Sequence, residues 1–139
     1  EGAMALAGAL AENQCLVCLN LRGNKIRDGG AMTLGEGLTR NKFLKELRLS
    51  GNRIKDEGAI TIANALHRNK SLTVLDLERN RIGDNGAVGF AEMLQFNSVL
   101  KCLHLVGNIG ITGKGCKSLL LCHATRSHIG NLEIPTRFF

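Results

Sequence analysis

The sequence lacks tryptophan and tyrosine altogether, and five phenylalanines are its only aromatic residues among 139 positions. Large aromatic anchors are therefore scarce, and the core has to be assembled from many small aliphatic contacts. The same scarcity removes the stacking surfaces on which single-stranded nucleic acids bind. This composition favours a fold made of repeated aliphatic units.

Proline occurs once, so the helical segments are uninterrupted. No segment approaches the roughly 20 consecutive apolar residues that a membrane-spanning helix needs, and no signal-peptide pattern is visible. We therefore expect no membrane association. The five cysteines are an odd number, and we expect them to be reduced thiols, which predicts a cytoplasmic location. Cys15 and Cys18 form a lone CxxC without a second pair, so no zinc site is predicted from them.

Charges of one sign are not clustered. The formal net charge is +6, but no run of five like charges occurs and the acidic residues are interspersed. A basic balance can attract nucleic acid. Because the charges are mixed and the aromatics are missing, we expect a solvated surface and no nucleic-acid binding.

A repeat is the main positive feature of the chain. Asparagines recur at a constant spacing of 28 residues, and a Leu-x-x-Leu-x-Leu frame moves with them. Self-similarity at a fixed period of this length is the signature of a solenoid. The repeats begin near residues 16, 44, 72 and 100, and a terminal strand is predicted at 129–134. The asparagines are Asn24, Asn52, Asn80 and Asn108.

The second half of each repeat predicts a helix. Ala31, Leu34, Gly35 and Leu38 lie at i, i+3, i+4 and i+7, the spacing of one apolar helix face. The same pattern follows the next two asparagines and also fills residues 1–13, which predicts the helix of a partial repeat. We treat 1–139 as one domain.

The expected helix boundaries rest on capping residues. The aspartates Asp28, Asp56 and Asp84 precede the apolar faces, and we predict that each caps its own helix. Asparagines follow the helices, and we predict that they end them in the left-handed conformation. These are Asn13, Asn41, Asn69 and Asn97.

The last repeat is irregular. One extra residue follows Asn108, and Pro135 and Arg137 stand where another turn and its asparagine would fall. We therefore predict that the array ends there.

Such a unit predicts an α/β right-handed solenoid of five strands and five helices. Strands lie about 4.8 Å apart, whereas helix axes need roughly 8–10 Å, so the parallel sheet should line the concave face and the helices the convex face. The 28-residue asparagines should hydrogen-bond the turns of neighbouring repeats, because an amide side chain both donates and accepts.

The motif LxxLxLxxNxIxDxGAxxLAxAL resembles the leucine-rich repeat, in its 28-residue ribonuclease-inhibitor-like subclass. It is most similar in style to the repeat domains of NOD-like receptors. The resemblance implies a horseshoe fragment that binds proteins, and it suggests a role in an innate-immune receptor. Two alternatives remain open, an enzyme inhibitor like ribonuclease inhibitor and a GTPase-activating protein of the Ran activator type. We expect no enzymatic activity, catalytic residue, metal site or cofactor.

Strand alternation points to the candidate binding residues. Side chains whose identity is not constrained by packing in the core should face the concave side and its rim, where a protein partner would bind. The uncapped N-terminal end should expose apolar surface and a sheet edge, so self-association is expected there. The predicted partner-binding residues are Asn20, Arg22, Glu46, Arg48, Val74, Asp76, Glu78, Arg79, Arg81 and His104.

Overall fold

The computed structural model describes residues 1–125 and 128–135, and within them five helices alternate with five strands. Arg137 lies outside the described residues. The predicted α/β repeat solenoid is confirmed. In chain order the elements are α1 (Gly2–Glu12), β1 (Cys18–Asn20), α2 (Arg27–Arg40), β2 (Glu46–Arg48), α3 (Asp56–Arg68), β3 (Val74–Asp76), α4 (Asp84–Leu94), β4 (Cys102–His104), α5 (Gly113–Thr125) and β5 (Asn131–Glu133).

The five strands form one parallel sheet in the order β1-β2-β3-β4-β5. Equivalent residues lie side by side, so that Leu47 pairs with Leu75 and Leu75 with Leu103. Between β4 and β5 the partner of Leu103 is Leu132, one position beyond the regular spacing. The extra residue after Asn108 is therefore absorbed outside the sheet, and the strand register survives it.

The core lies between the sheet and the helices. The three leucines of each central repeat are fully buried, as are the apolar faces of α2, α3 and α4. Phe90 on α4 is the largest fully buried side chain. Phe43 and Phe96 are instead 44% and 69% exposed in the loops after α2 and α4. The core is thus aliphatic with one aromatic centre, as the composition indicated.

The asparagines that recur every 28 residues hydrogen-bond successive turns to one another, as the sequence predicted. Asn80 Oδ1 accepts hydrogen bonds from the backbone N–H groups of Asn52 and Ile54, both at 3.0 Å. Its Nδ2 donates to the carbonyls of Leu49 and Leu77 at 2.9 and 3.0 Å. Asn52 and Asn108 follow the same pattern, so each of these three asparagines serves its own repeat and the repeat before it, whereas Asn24 bonds to carbonyls of its own repeat. We call this column, formed by Asn24, Asn52, Asn80 and Asn108, the turn ladder.

The asparagines that follow the helices form a second column, but not in the predicted conformation. Asn13, Asn41 and Asn69 have φ values of −73°, −71° and −69°, so the left-handed prediction is wrong. Asn97 lies beyond the end of α4, whose C-cap is Gln95. At Asn41 and Asn69 the extended backbone lets the side chain reach across the repeat boundary, whereas Asn13 Oδ1 accepts from the neighbouring Cys15 and Leu16 N–H groups. Asn69 Nδ2 donates to the Leu38 carbonyl at 2.8 Å, and its Oδ1 accepts from Leu72 N–H.

The aspartates cap helices, but not their own. No side-chain hydrogen bond caps α2, α3 or α4 from its own N-cap residue. Asp56 Oδ1 instead accepts from Gly83 and Gly86 N–H at 2.6 and 3.0 Å, at the start of the next helix. Asp28 serves α3 in the same way through Lys55 and Gly58. The sequence predicted the right capping residues, but each lies in the first turn of its own helix and its carboxylate caps the following helix.

A glycine at each helix start makes room for the incoming carboxylate. A Cβ on Gly86 would lie 2.8 Å from Asp56 Oδ1, and one on Gly115 would lie 2.6 Å from Asp84 Oδ1. Asp84 reaches α5 although the fourth turn is one residue longer, because its contacts move to Thr112 and Gly115. The carboxylate–glycine pair is thus kept at every described boundary from α2 onward.

Asp84 should stabilise the protein only while it is ionised. Its carboxylate accepts from the Thr112 hydroxyl at 2.6 Å and from the N–H groups of Thr112 and Gly115 at 2.7 and 2.9 Å. The Thr112 hydroxyl, with those N–H groups, lowers the pKa of Asp84. Because the pKa of Asp84 is lowered in the folded chain, its carboxylate contributes fully to folding stability above the ordinary aspartate pKa of about 3.9. This stabilisation is lost as the pH falls below that value.

We therefore expect Asp84→Ala to lower the free energy of unfolding by about 1–2 kcal/mol at pH 7, the usual cost of losing a helix cap. The difference from the parent chain should shrink at acidic pH, where the parent also loses the charge. Urea unfolding at several pH values measures this. Glu92→Ala, which removes an exposed acid from α4, is the control. An equal loss at acidic and neutral pH would contradict the account.

Candidate protein-binding surface

One face of the sheet is not covered by helices, and we call it the open sheet face. It carries the side chains that alternate with the buried leucines, at positions 18, 20 and 22 of β1 and their equivalents in the later strands. The leucines between them are buried in β2, β3 and β4 and partly buried in β1 and β5. This is the face that the sequence assigned to the concave side, and it holds most of the predicted binding residues.

Arg22 and Asp76 are joined across the β1–β3 half of this face. Arg22 Nη2 lies 2.9 Å from Asp76 Oδ2, and Arg22 Nε donates to Ser50 Oγ at 2.8 Å. Asp76 is only 6% exposed, and its Oδ1 also accepts from Glu78 N–H. Asp76 therefore does not present itself to a partner directly. It fixes Arg22, which is the exposed member of the pair.

Glu46 and Arg48 form a second pair on β2. Arg48 Nε donates to Glu46 Oε1 at 2.5 Å. This hydrogen bond lowers the pKa of Glu46 and raises the pKa of Arg48. Both side chains stay charged at neutral pH and neutralise each other. Asn20, exposed on β1, and half-buried Val74 on β3 add uncharged surface beside these pairs.

A row of basic residues follows the turn ladder along one edge of the sheet. Lys25, Arg53 and Arg81 are exposed, and within the part of the chain that the structure describes none of them forms an ion pair. Lys25 and Arg53 have φ values of 55° and 62°. We call these three residues the basic rim. Its charge is available to a partner, unlike that of Arg48.

Arg79 occupies a turn position that is glycine in the other repeats. Its φ is 50°, close to the values of 70°, 69° and 79° at Gly23, Gly51 and Gly107. A Cβ on Gly107 would lie 2.9 Å from Arg79 Cγ, so the arginine stem passes over the next turn. Arg79 is exposed and extends the positive surface of the basic rim toward the open sheet face.

Glu78, His104 and Glu133 come together at the other end of the open sheet face. His104 Nδ1 lies 3.1 Å from Glu133 Oε2 and 3.7 Å from Glu78 Oε1. Glu78 and His104 are among the residues predicted from the sequence, and Glu133 is not. The signal was present, because Leu132 and Ile134 mark the strand frame around it. The irregular spacing of the last repeat hid the alignment with His104.

The N-terminal end of the stack exposes apolar surface. Strand β1 pairs only with β2 and is an edge of the sheet. The leucines of the first repeat, Leu16, Leu19 and Leu21, are only partly buried, whereas their equivalents in the central repeats are fully buried. Val17 beside β1 and Met4 on α1 are 58% and 66% exposed. An open groove of about 710 Å³ lies between α1, the first turn and α2.

Among the residues that the structure describes, no helix is both long enough and apolar enough to cross a membrane.

Comparison with known proteins identifies the repeat. A leucine-rich repeat family model matches residues 12–35, 40–63, 68–91 and 96–120. A search of curated proteins found no match. Two solved structures share the fold. One is the Leiomodin-1 Actin-Binding Site 2, with 21% identity, a TM-score of 0.88 and coverage of 95% of this chain and 78% of its own. The other, the tropomodulin C-terminal domain of Caenorhabditis elegans, has 13% identity, a TM-score of 0.86 and coverage of 99% and 84%. Because the family model matches more than half of the residues, this chain belongs to the leucine-rich repeat family.

Proposed function

We propose that this chain is a protein-interaction module that binds a partner on its open sheet face and along the basic rim. The observation that carries the proposal is the division of charge between the two surfaces. Arg22 and Arg48 are neutralised by acids of the same sheet, whereas Lys25, Arg53 and Arg81 are exposed and unpaired among the described residues. Unpaired rim charges steer association and fix orientation more than they set affinity. The expected partner surface is therefore acidic where it meets the rim.

The module presents side chains and performs no chemistry. The strands hold the open face in register, and the turn ladder fixes the turns that carry the rim. Such a surface needs little rearrangement on binding, which reduces the entropic cost of association. We propose that it acts in the cytoplasm and without enzymatic activity. The motif's resemblance to NOD-like receptors supports a place within a larger innate-immune receptor, as a sensing or autoinhibitory segment.

A neutralising variant of the rim tests the binding surface. Lys25→Asn, Arg53→Asn and Arg81→Asn together remove three charges, and asparagine tolerates the left-handed backbone found at Lys25 and Arg53. Capture from a cytosolic extract, identification by mass spectrometry and titration with the purified partner should show at least about tenfold weaker binding, which is about 1.4 kcal/mol. The loss should come mainly from slower association and should fade at high salt.

A matched variant controls for net charge. Lys42, Arg68 and Lys117 are exposed basic residues outside the rim and the open face, and their replacement by asparagine removes the same charge. Val74→Arg adds a bulky cation to the open face itself. The proposal predicts full binding by the control and weakened binding by the rim variant and Val74→Arg. Equal affinities for all three would contradict it.

Purified actin and purified small GTPases should be tested early as partners. A similar solved structure is named as an actin-binding site, so cosedimentation with actin is a direct first assay. Stimulated GTP hydrolysis by candidate small GTPases tests the Ran-activator alternative. Acceleration of hydrolysis would overturn the assignment of a purely binding role. Actin binding that needs the rim charges would identify the partner class.

We further propose that the exposed N-terminal end supports self-association. A strand edge with exposed apolar residues pairs readily with another chain, and a charged side chain placed there blocks such pairing. Val17→Lys should therefore lower the average mass seen by sedimentation velocity at high protein concentration. Val106→Lys, at a position 41% exposed in the turn after β4, is the control. A concentration-independent monomer in the parent chain would rule the contact out.

A further inference from the structure

Two carboxylates, Glu78 and Glu133, lie together at the β3–β5 end of the open sheet face. Among the residues that the structure describes, neither Glu78 nor Glu133 forms an ion pair with a lysine or arginine. Both face the same nitrogen, His104 Nδ1. All three side chains are half-buried and come from three neighbouring repeats.

One imidazole nitrogen cannot satisfy two carboxylates. Nδ1 carries at most one proton and donates one good hydrogen bond. Glu133 Oε2 is the nearer carboxylate oxygen at 3.1 Å, and the 3.7 Å separation from Glu78 Oε1 is too long for a hydrogen bond. Glu78 therefore receives no hydrogen bond from this nitrogen. A divalent cation placed between the three atoms would instead accept an electron pair from each of them.

The spacing of the three atoms suits a small cation. Zinc bonds to histidine nitrogen and carboxylate oxygen are about 2.0–2.2 Å long. At a tetrahedral angle, two such ligand atoms lie about 3.3–3.5 Å apart. The observed separations are 3.1 and 3.7 Å, and all three ligand atoms lie within 4.8 Å of one another. Rotation of the Glu78 side chain would close the remaining gap.

The surroundings hold one ligand in place. Asn131 Nδ2 donates to Glu133 Oε1 at 3.0 Å, which leaves Oε2 directed toward His104. A hydrogen bond that orients a ligating carboxylate in this way is a regular feature of metal sites. His104 and Glu133 are also direct partners in the β4–β5 register, so the backbone fixes their separation.

We propose that Glu78, His104 and Glu133 form a binding site for zinc or a chemically similar divalent transition metal. One imidazole and two carboxylates suit such a metal, whereas calcium and magnesium favour sites built only of oxygen ligands. Three protein ligands leave a further coordination position, which opens onto the sheet face. This inference goes beyond the proposed function and does not depend on it.

The test is calorimetric titration of the full chain with zinc chloride. Free thiols compete for zinc, and Cys15 and Cys18 are exposed, so the titration uses a Cys15→Ser/Cys18→Ser background. We expect one metal per chain with an affinity in the micromolar range. In the same background, His104→Ala and Glu133→Gln should each weaken binding at least about tenfold. Glu46→Gln, which removes another open-face carboxylate, should leave it unchanged.

Two further measurements make every outcome decisive. Cobalt in place of zinc should give a spectrum without the near-ultraviolet band of a thiolate ligand, and a thiolate band would move the site to the cysteines and overturn the proposal. Unfolding of His104→Ala without metal shows whether the variant is folded. If His104→Ala is unfolded, the zinc affinities of Glu78→Gln and Glu133→Gln alone test the proposal. Absence of saturable binding, or equal binding by these variants and Glu46→Gln, would show an ordinary histidine–carboxylate pair.

Discussion

Replacing Asn80 by alanine should lower the free energy of unfolding by about 3–5 kcal/mol. The side chain is 5% exposed and makes five hydrogen bonds to backbone groups of two repeats. Alanine would leave buried N–H and carbonyl groups without partners, and each such group costs about 1–3 kcal/mol. The total is less than the sum because neighbouring turns can shift and water can enter.

Asn24→Ala is the matched control in the same turn ladder. Asn24 is exposed, and its side chain donates only to the Leu21 and Arg22 carbonyls of its own repeat. We expect a loss below about 1 kcal/mol, since water can replace these bonds. Urea unfolding followed by circular dichroism measures both variants. Equal losses at Asn80 and Asn24 would show that the bonds between repeats contribute nothing beyond those within one repeat.

Phe90→Ala should cost about 3–5 kcal/mol, the usual range for removing a fully buried aromatic ring. Phe90 is 0% exposed and belongs to the single core cluster that runs along the stack. The aliphatic side chains around it are already fully buried and cannot collapse far into the space. The thermal unfolding midpoint and the urea midpoint should both fall.

Phe96 supplies the control for this change. It lies in the loop after α4, is 69% exposed and contacts the His67 ring at a centroid distance of 5.4 Å. Phe96→Ala removes the same atoms from water instead of from the core, so we expect a loss below about 1 kcal/mol. A larger loss at Phe96 than at Phe90 would mean that the loop contact, and not the core, governs stability.

The sequence was most informative where the repeat constrained the answer. The leucine frame and Asn24, Asn52, Asn80 and Asn108 predicted the strands, their order and the turn ladder, because a regular stack places equivalent residues side by side. Partners across the boundary were harder to predict. Asp56 is the first residue of α3, so the local sequence favours that helix as the one it caps. The structure shows that the carboxylate instead bonds the start of α4, where Gly86 leaves space for it.

The sequence pattern could not predict which side chains form ion pairs on the open sheet face. Alternation placed Arg22 and Asp76 on one surface, but their ion pair spans the intervening strand and depends on Ser50 lying between them. Glu133 was missed for a different reason. The aligned columns were followed only to β4, and the extra residue in the last repeat shifted the next partner by one position. Extending the columns to the predicted strand at 129–134 places Glu133 beside His104, because Leu132 and Ile134 keep the leucine frame.

The hydrogen bonds between repeats run in both directions along the chain. An asparagine of each later repeat holds the turn before it, whereas an aspartate of each earlier repeat holds the helix after it. Wherever the array is divided, both pieces lose a partner, so no single repeat is a self-sufficient module. Insertion of a complete repeat in register would restore every partner, as would removal of one. An evolving array of this kind can therefore change its length by whole repeats far more easily than its internal boundaries.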